Sequence, residues 1–316
     1  MENPVGIIGN YNIDIMIGNV NEAPKWDTEI LADRYEQRIA GTAGYMALAL
    51  YNLNIPSVIL SSVGQDDYGN FLVKALIERG LEAKGIERLA NHQTCIGFVV
   101  VNKDGSRAIT TVSGAHDHFD LEMYHKNKHL LKECKEIVIC GTYLLPKFSL
   151  AEALVVAKEQ RALGKKLYFD PSWDPNGWSE YTVSQTFELL KYVDVFMPNE
   201  TELCHLTGKQ NWRDALLFVS QFCGEVVVKL GSKGAAMIKD GKIIIESGKN
   251  VRAVDTTGAG DVFDMGYLFA ARRGDDPSNR LALGNTLASL LITQSNRTTY
   301  PTLQELMNKW ENPIKS

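Results

Sequence analysis

Residues Asp255-Thr256-Thr257-Gly258-Ala259-Gly260-Asp261 separate a strand-like run from a long helix-like run. The small residues Gly258, Ala259 and Gly260 leave backbone N–H groups open at a helix start, where unpaired amides and the positive end of the helix dipole favour a phosphoryl group. Asp261 falls in the first turn of that helix, where a carboxylate can take the proton of a hydroxyl as it attacks phosphorus. Together these residues point to phosphoryl transfer to an alcohol. Each feature also has a plainer origin: small residues pack well at strand-to-helix turns, and the dipole alone favours a first-turn Asp.

Other residue groups invite a similar weighing. Asn12 and Asp14 follow the apolar run Val5–Ile8. They either cap a turn or recognise a polyol, since one carboxylate accepts from two adjacent hydroxyls. Asn199 and Glu202 have the spacing of a helix cap with its reciprocal acid. Gly231-Ser232-Lys233-Gly234 is good turn chemistry after a strand, and Lys229 either snorkels to solvent or pairs with phosphate. Asn285 stands in an otherwise apolar helical run, where a polar side chain is usually satisfied locally. His116, Asp117 and His118 form the one histidine cluster, and a solvated loop explains it better than a metal.

Short β-branched runs alternate with helix-period segments along the chain. VILSSVG, EIVIC, KKLYFD, VDVFMPN and EVVVKLG read as strands, separated by helical segments at 65–80, 149–163 and 178–191. That order predicts a doubly wound, mostly parallel sheet with helices on both faces. Residues 12–40 and 93–113 break the pattern with strands that lack intervening helices, and Lys103-Asp104-Gly105-Ser106 reads as a hairpin turn. These segments predict a small β-lid on a single domain spanning 1–316. In a doubly wound sheet ligands gather at the carboxyl ends of the strands, just where the motifs lie.

The chain resembles the ribokinase-like (pfkB-type) carbohydrate kinases over nearly its whole length. Gly9 to Asp14, AGTAGYMALALYNL at 40–53, PNETELCHLTG at 198–208, VVVKLGSKGAAMI at 226–238 and the 255–261 string follow that family's order, with FDPSWDP at 169–175 between them. The resemblance implies transfer of the ATP γ-phosphoryl to a sugar hydroxyl, with Asp261 as base and the 258–260 amides as anion hole. It implies acceptor contacts from Asn12, Asp14, Gly41 and the position of Tyr45, where the family usually has Asn. The bulkier Tyr45 opens other acceptors: another free sugar, a nucleoside, or a sugar phosphate met by Arg107 in the lid. It further implies nucleotide contacts from Asn199, Glu202, Lys229, Gly231, Ser232, Gly234 and Asn285, with Mg²⁺ organised through water by Glu202. Asp255 and Thr257 resemble positions that bind a monovalent cation such as K⁺. The partner segment for that ion, usually a Gly-Ala turn, here reads Gln294 to Thr299, and Arg297 offers a fixed charge instead. The lid would close over the sugar and form a homodimer contact.

Bulk properties exclude several classes. Lys and Arg number 33 against 38 Asp and Glu, a net charge of −5, which leaves no global footprint for nucleic acid or anionic membrane. Five cysteines without a CxxC pair argue against a disulfide framework and a zinc site. No charged leader precedes an apolar stretch at the start, and no apolar run reaches membrane-spanning length, so the expectation is a cytoplasmic enzyme. A nicotinamide-dependent oxidoreductase lacks its GxGxxG after the first strand, and a binding protein without turnover has no need of Asp261.

Overall fold

The structure is a computed structural model that describes residues 3–103, 107–239, 241–294 and 299–311. Nine strands form one sheet: β1 (Val5–Ile8), β4 (Ser57–Gly64), β5 (Ile86–Leu89), β8 (Glu136–Cys140), β9 (Lys166–Asp170), β10 (Val195–Phe196), β11 (Glu225–Lys229), β12 (Ala235–Lys239) and β13 (Lys242–Glu246). Their spatial order is β13-β12-β11-β10-β9-β8-β1-β4-β5. All neighbours are parallel except the β11–β12 and β12–β13 pairs, which end the sheet as an antiparallel hairpin.

A parallel sheet covered on both faces needs apolar residues at nearly every position. β1 and β4 are buried throughout. Alternation then divides the core: Val5 and Ile7 of β1 with Val138 and Cys140 of β8 face one apolar cluster, and Ile8, Ile137 and Ile139 face the other. The first cluster is covered by α1 (Thr42–Asn52), α2 (Asp67–Glu78), α8 (Ala259–Arg272), α9 (Pro277–Ile292) and α10 (Leu303–Glu311). The second lies under α3 (Leu121–Asn127), α4 (Leu150–Ala162), α5 (Glu180–Leu190), α6 (Glu200–Thr207) and α7 (Trp212–Val219). The doubly wound expectation holds, and the helices expected at 65–80, 149–163 and 178–191 are α2, α4 and α5. The strand expected across 193–199 shortens to two residues, because Asn199 is already the cap of α6.

A second sheet of four strands has the order β3-β2-β6-β7, from β2 (Asn12–Val20), β3 (Arg34–Ala40), β6 (Ile96–Asn102) and β7 (Arg107–Val112). Residues 104–106 of the expected hairpin turn lie outside the described residues. Asp14 stands opposite both Arg38 and Gly97, and Gly97 opposite Thr111, so by the two-residue period of a strand these residues share one face. That face turns toward the main sheet. The other carries Ile15, Ile17, Tyr35, Phe98 and Val100, with Tyr35 74% and Phe98 40% exposed.

In the main sheet the chain runs from β1 outward to β4 and β5, then returns to β8 on the other side of β1. The order reverses at the β1–β8 pair, and a crevice for ligands opens at such a point beyond the carboxyl ends of the strands.

Candidate active site

The 255–261 loop forms a turn that ends in α8. Asp255 Oδ1 accepts the Thr257 N–H at 2.9 Å, and Gly258 caps the helix with φ 73°. That left-handed conformation disfavours a side chain, and a Cβ at 258 would stand 3.0 Å from Cγ of Tyr45. Asp261 is the third residue of α8. Of the amides expected to form an anion hole, that of Ala259 is directed back to the Thr256 carbonyl at 3.3 Å. The start of α8 divides two cavities. One, of about 620 Å³, is bordered by Asp261, Thr257, Tyr45, Asp14 and Asn12; the other, of about 260 Å³, is bordered by Ala259, Gly260, Ser232 and Asn285.

Asn12, Asp14 and Tyr45 form one hydrogen-bonded group in the larger cavity. Asn12 Nδ2 donates to Asp14 Oδ1 at 3.1 Å, and the Tyr45 hydroxyl donates to Asp14 Oδ2 at 3.1 Å. Burial pushes the Asp14 carboxyl up to about 6, against the pull of Tyr45, Asn12 and the Arg38 charge. Gly41 precedes α1 with φ 79°, and a Cβ there would lie 2.3 Å from the Asn10 carbonyl oxygen, so this close turn needs glycine. The cavity continues past Ile109, Tyr143, Leu144, Pro146 and Pro175, which give it an apolar side.

The histidine cluster departs from the solvated loop expected of it. Residues 114–118 form a 3₁₀ turn, His116 is 1% exposed, and its Nε2 lies 3.1 Å from the Tyr11 carbonyl. Burial pushes the His116 ring down to about 4, so it borders the cavity as a neutral imidazole. Ala115 and Phe119 beside it are apolar and buried, a signal outweighed in the sequence by the polar His-Asp-His run. No group of three or more metal-binding side chains occurs among the described residues.

Among the residues expected to contact nucleotide, Asn199 and Glu202 make both bonds of a capping box at 2.9 Å each. Glu202 is nonetheless buried, and burial together with Asp170 pushes its carboxyl up to about 7. Lys229 neither snorkels nor points to open solvent. Its ammonium lies 2.9 Å from Asp170 Oδ2 and 3.1 Å from Asp264 Oδ2, with the charged groups almost wholly shielded. Burial raises Asp264 well above the carboxyl range, against the pull of Lys229. Burial would raise Asp170 too, but Lys229 and a hydrogen bond from Asp264 hold it low. Asp261 is pushed up to about 8 by burial and by Asp170, opposed by Lys229. Asn285 Nδ2 donates to the Glu246 carbonyl at 3.1 Å, tying α9 to the end of β13 while the residue borders the smaller cavity with Gly231, Ser232 and Gly234.

Arg107 does not border the larger cavity; its guanidinium donates to Thr257 Oγ1. Arg297 lies outside the described residues. Arg38, which the sequence did not single out, instead forms an ion pair with Asp255 and a second with Glu36 at 2.7 Å. Asp170 and Asp264 were also missed as site residues. Asp264 did leave a signal, a lone charge inside the apolar stretch Val262–Ala271 of a buried helix.

The family model described as "pfkB family carbohydrate kinase" matches residues 7–303. A ribokinase of Haemophilus influenzae is 24% identical over 97% of this chain and 98% of its own, and an ATP-dependent ribose-1-phosphate kinase of Halopiger xanaduensis is 26% identical over 93% of each. The structure of Arabidopsis thaliana ribokinase complexed with ribose and ATP superposes with a TM-score of 0.82 at 25% identity, covering 98% of both chains. A match of this extent, on a fold with the sheet order and motif positions described above, places the chain in the pfkB family of carbohydrate kinases, ATP-dependent phosphotransferases with an alcohol group as acceptor.

Proposed function

We propose that the larger cavity holds a sugar or sugar-like acceptor, the smaller one ATP, and that Asp261 is the base for in-line γ-phosphoryl transfer between them. One observation carries this reading: the first turn of α8 is the wall between the two cavities, presenting Asp261 to one and Ala259 and Gly260 to the other. A hydroxyl beside Asp261 and a phosphorus at the helix start are then neighbours, and positioning plus charge stabilisation supply the catalysis. Asp14 accepts from the acceptor's hydroxyls, oriented by Asn12 and Tyr45. The amides of Gly258 and Gly260 and the helix dipole offset charge on the transferring group.

The residues suit Mg²⁺ held mainly by phosphate oxygens and water. The described side chains form no closed protein cage for a metal, and Glu202 is turned back on the start of its own helix. Bound there, the ion would neutralise phosphate charge. The small sheet acts as the lid, since its Asp14 face borders the acceptor cavity. Its outer apolar face at Tyr35 and Phe98 suits a homodimer contact. The five free cysteines, four of them buried, suit a reducing compartment such as the cytoplasm. No described helix is long and apolar enough to cross a membrane.

The apolar side of the cavity favours a second acceptor class, a polyol carrying an apolar or aromatic appendage such as a nucleoside. A sugar phosphate read by Arg107 is less favoured, because its guanidinium already donates to Thr257 Oγ1 at the cavity's border. A coupled assay of ADP release over a panel of sugars, nucleosides and sugar phosphates tests the reading. Acceptor-dependent ADP release from a sugar or nucleoside supports it, and release that no acceptor stimulates sinks it.

A further inference from the structure

We propose that Arg38 supplies at Asp255, as a fixed guanidinium, the positive charge that the family likeness assigns to a monovalent cation, so that this kinase turns over without K⁺. The side chains of Asp255 and Thr257 do not fit such an ion. A monovalent cation at this loop needs oxygen ligands, and the three side-chain oxygens that Asp255 and Thr257 offer already face N–H donors of the chain. Asp255 Oδ1 accepts the Thr257 amide at 2.9 Å, Asp255 Oδ2 accepts from the Arg38 guanidinium, and Thr257 Oγ1 accepts from Arg107.

The pair is built into the fold. Arg38 stands opposite Asp14 in the β2–β3 ladder, on the face that borders the main domain. Its side chain is 10% exposed and that of Asp255 17%, so water screens their attraction little. Glu36 at 2.7 Å holds the other end of the guanidinium fork. Burial would lower the Arg38 pKa, but the bonds to Glu36 and Asp255 keep it protonated at any working pH. Arg34, Arg38 and Lys103 border the cavity of about 80 Å³ beside the pair together with Glu36 and Asp255, an excess of positive charge that disfavours a further cation. Both guanidiniums come from the small sheet, so they also tie it to the loop that starts α8.

The inference rests on reading residues 255–261 as the anion loop, and its test separates the two. The wild-type enzyme is assayed with MgATP and its best acceptor at constant ionic strength, with K⁺ exchanged for tetramethylammonium, and thermal unfolding is followed in the same buffers. A cation that binds the native state raises its Tm. Wild-type kcat/KM should change by less than about twofold and Tm should not move, whereas in Arg38→Ala K⁺ should raise Tm and restore kcat/KM by about tenfold or more. Arg38→Lys, which keeps a charge, should remain indifferent to K⁺ and covers the case in which the alanine variant does not fold. A wild type that K⁺ activates or stabilises overturns the inference, as does an Arg38→Ala protein that K⁺ leaves unchanged in both readouts. Absence of turnover with every acceptor would sink the kinase reading alone, while the Tm comparison still decides the cation question.

Discussion

The Lys229 ammonium and the Asp264 carboxyl meet at 3.1 Å beneath the first turn of α8, with Asp170 at 2.9 Å from the same nitrogen. Removing one partner of a buried ion pair typically costs about 3–5 kcal/mol, because the remaining charge stays desolvated. Lys229→Met should therefore lower unfolding free energy by about that amount in urea titrations. Asp264→Asn should behave differently. If Asp264 carries a proton and donates to Asp170, an amide reproduces that donor, and the cost should stay near 1 kcal/mol. Equal losses in the two variants would show Asp264 to be ionised.

Asp261→Asn keeps size and polarity but removes the proposed base. General-base catalysis is typically worth about 10²–10⁴-fold, so acceptor phosphorylation should fall by that order while ATP binding by calorimetry stays close to wild type. Retained activity would exclude Asp261 as base, and joint loss of ATP binding would assign it to ordering the nucleotide.

The same carboxyl makes a pH prediction. Its folded pKa is raised, to about 8, with Glu202 beside it at about 7. A carboxyl raised on folding contributes stability at low pH that is lost as pH climbs from the unfolded value through the folded one. The wild type should therefore lose stability relative to Asp261→Asn between about pH 4 and 8, and the Tm advantage of the variant should grow over that range and then level off. Acceptor kcat/KM in the wild type should rise over the upper part of the same interval, as the coupled pair deprotonates. A Tm difference independent of pH would show that Asp261 is ionised throughout.

Much of the architecture was legible because burial on both faces of a parallel sheet forces apolar runs. β4, β8, β9 and β11 were therefore visible, as was the capping signal of Asn199 with its Glu202. The loop at 255–261 was legible because its requirements are local. The partners of its charges were not. Asp170 lies 59 residues from Lys229, and Arg38 lies 217 residues from Asp255, separations that no periodicity spans. His116 was misplaced for the opposite reason, since local polarity concealed a burial set by the packing of β4 against its turn.

Gly258 is constrained twice, by φ 73° and by the Tyr45 ring 3.0 Å from where a Cβ would stand. Gly258→Ala should cost about 1–2 kcal/mol for the left-handed backbone alone, and relief by displacement of the loop would misplace the amides proposed as the anion hole. kcat should fall more than ATP affinity. Wild-type kcat in this variant would show that the loop is not set by the turn at 258.

Tyr45 separates the roles of its ring and its hydroxyl. Tyr45→Phe keeps the ring against Gly258 but deletes the donor to Asp14 Oδ2, one of the bonds that restrain the rise of the Asp14 pKa. Without it the carboxyl should protonate at a pH above its present value of about 6, so the acid limb of acceptor kcat/KM should move upward. The loss relative to wild type should then be larger at pH 6 than at pH 8, with ATP affinity unchanged at both. Asp14→Ala should abolish that difference and lower acceptor kcat/KM about 10²-fold or more at every pH, because the acceptor's buried hydroxyls lose their partner. Tyr45→Asn removes the ring as well and should enlarge the cavity beside Asp261, shifting preference among acceptors in the panel. If Tyr45→Phe and the wild type share one pH profile, Asp14 does not titrate in acceptor binding, and the polyol is recognised through Asn12 and the backbone instead.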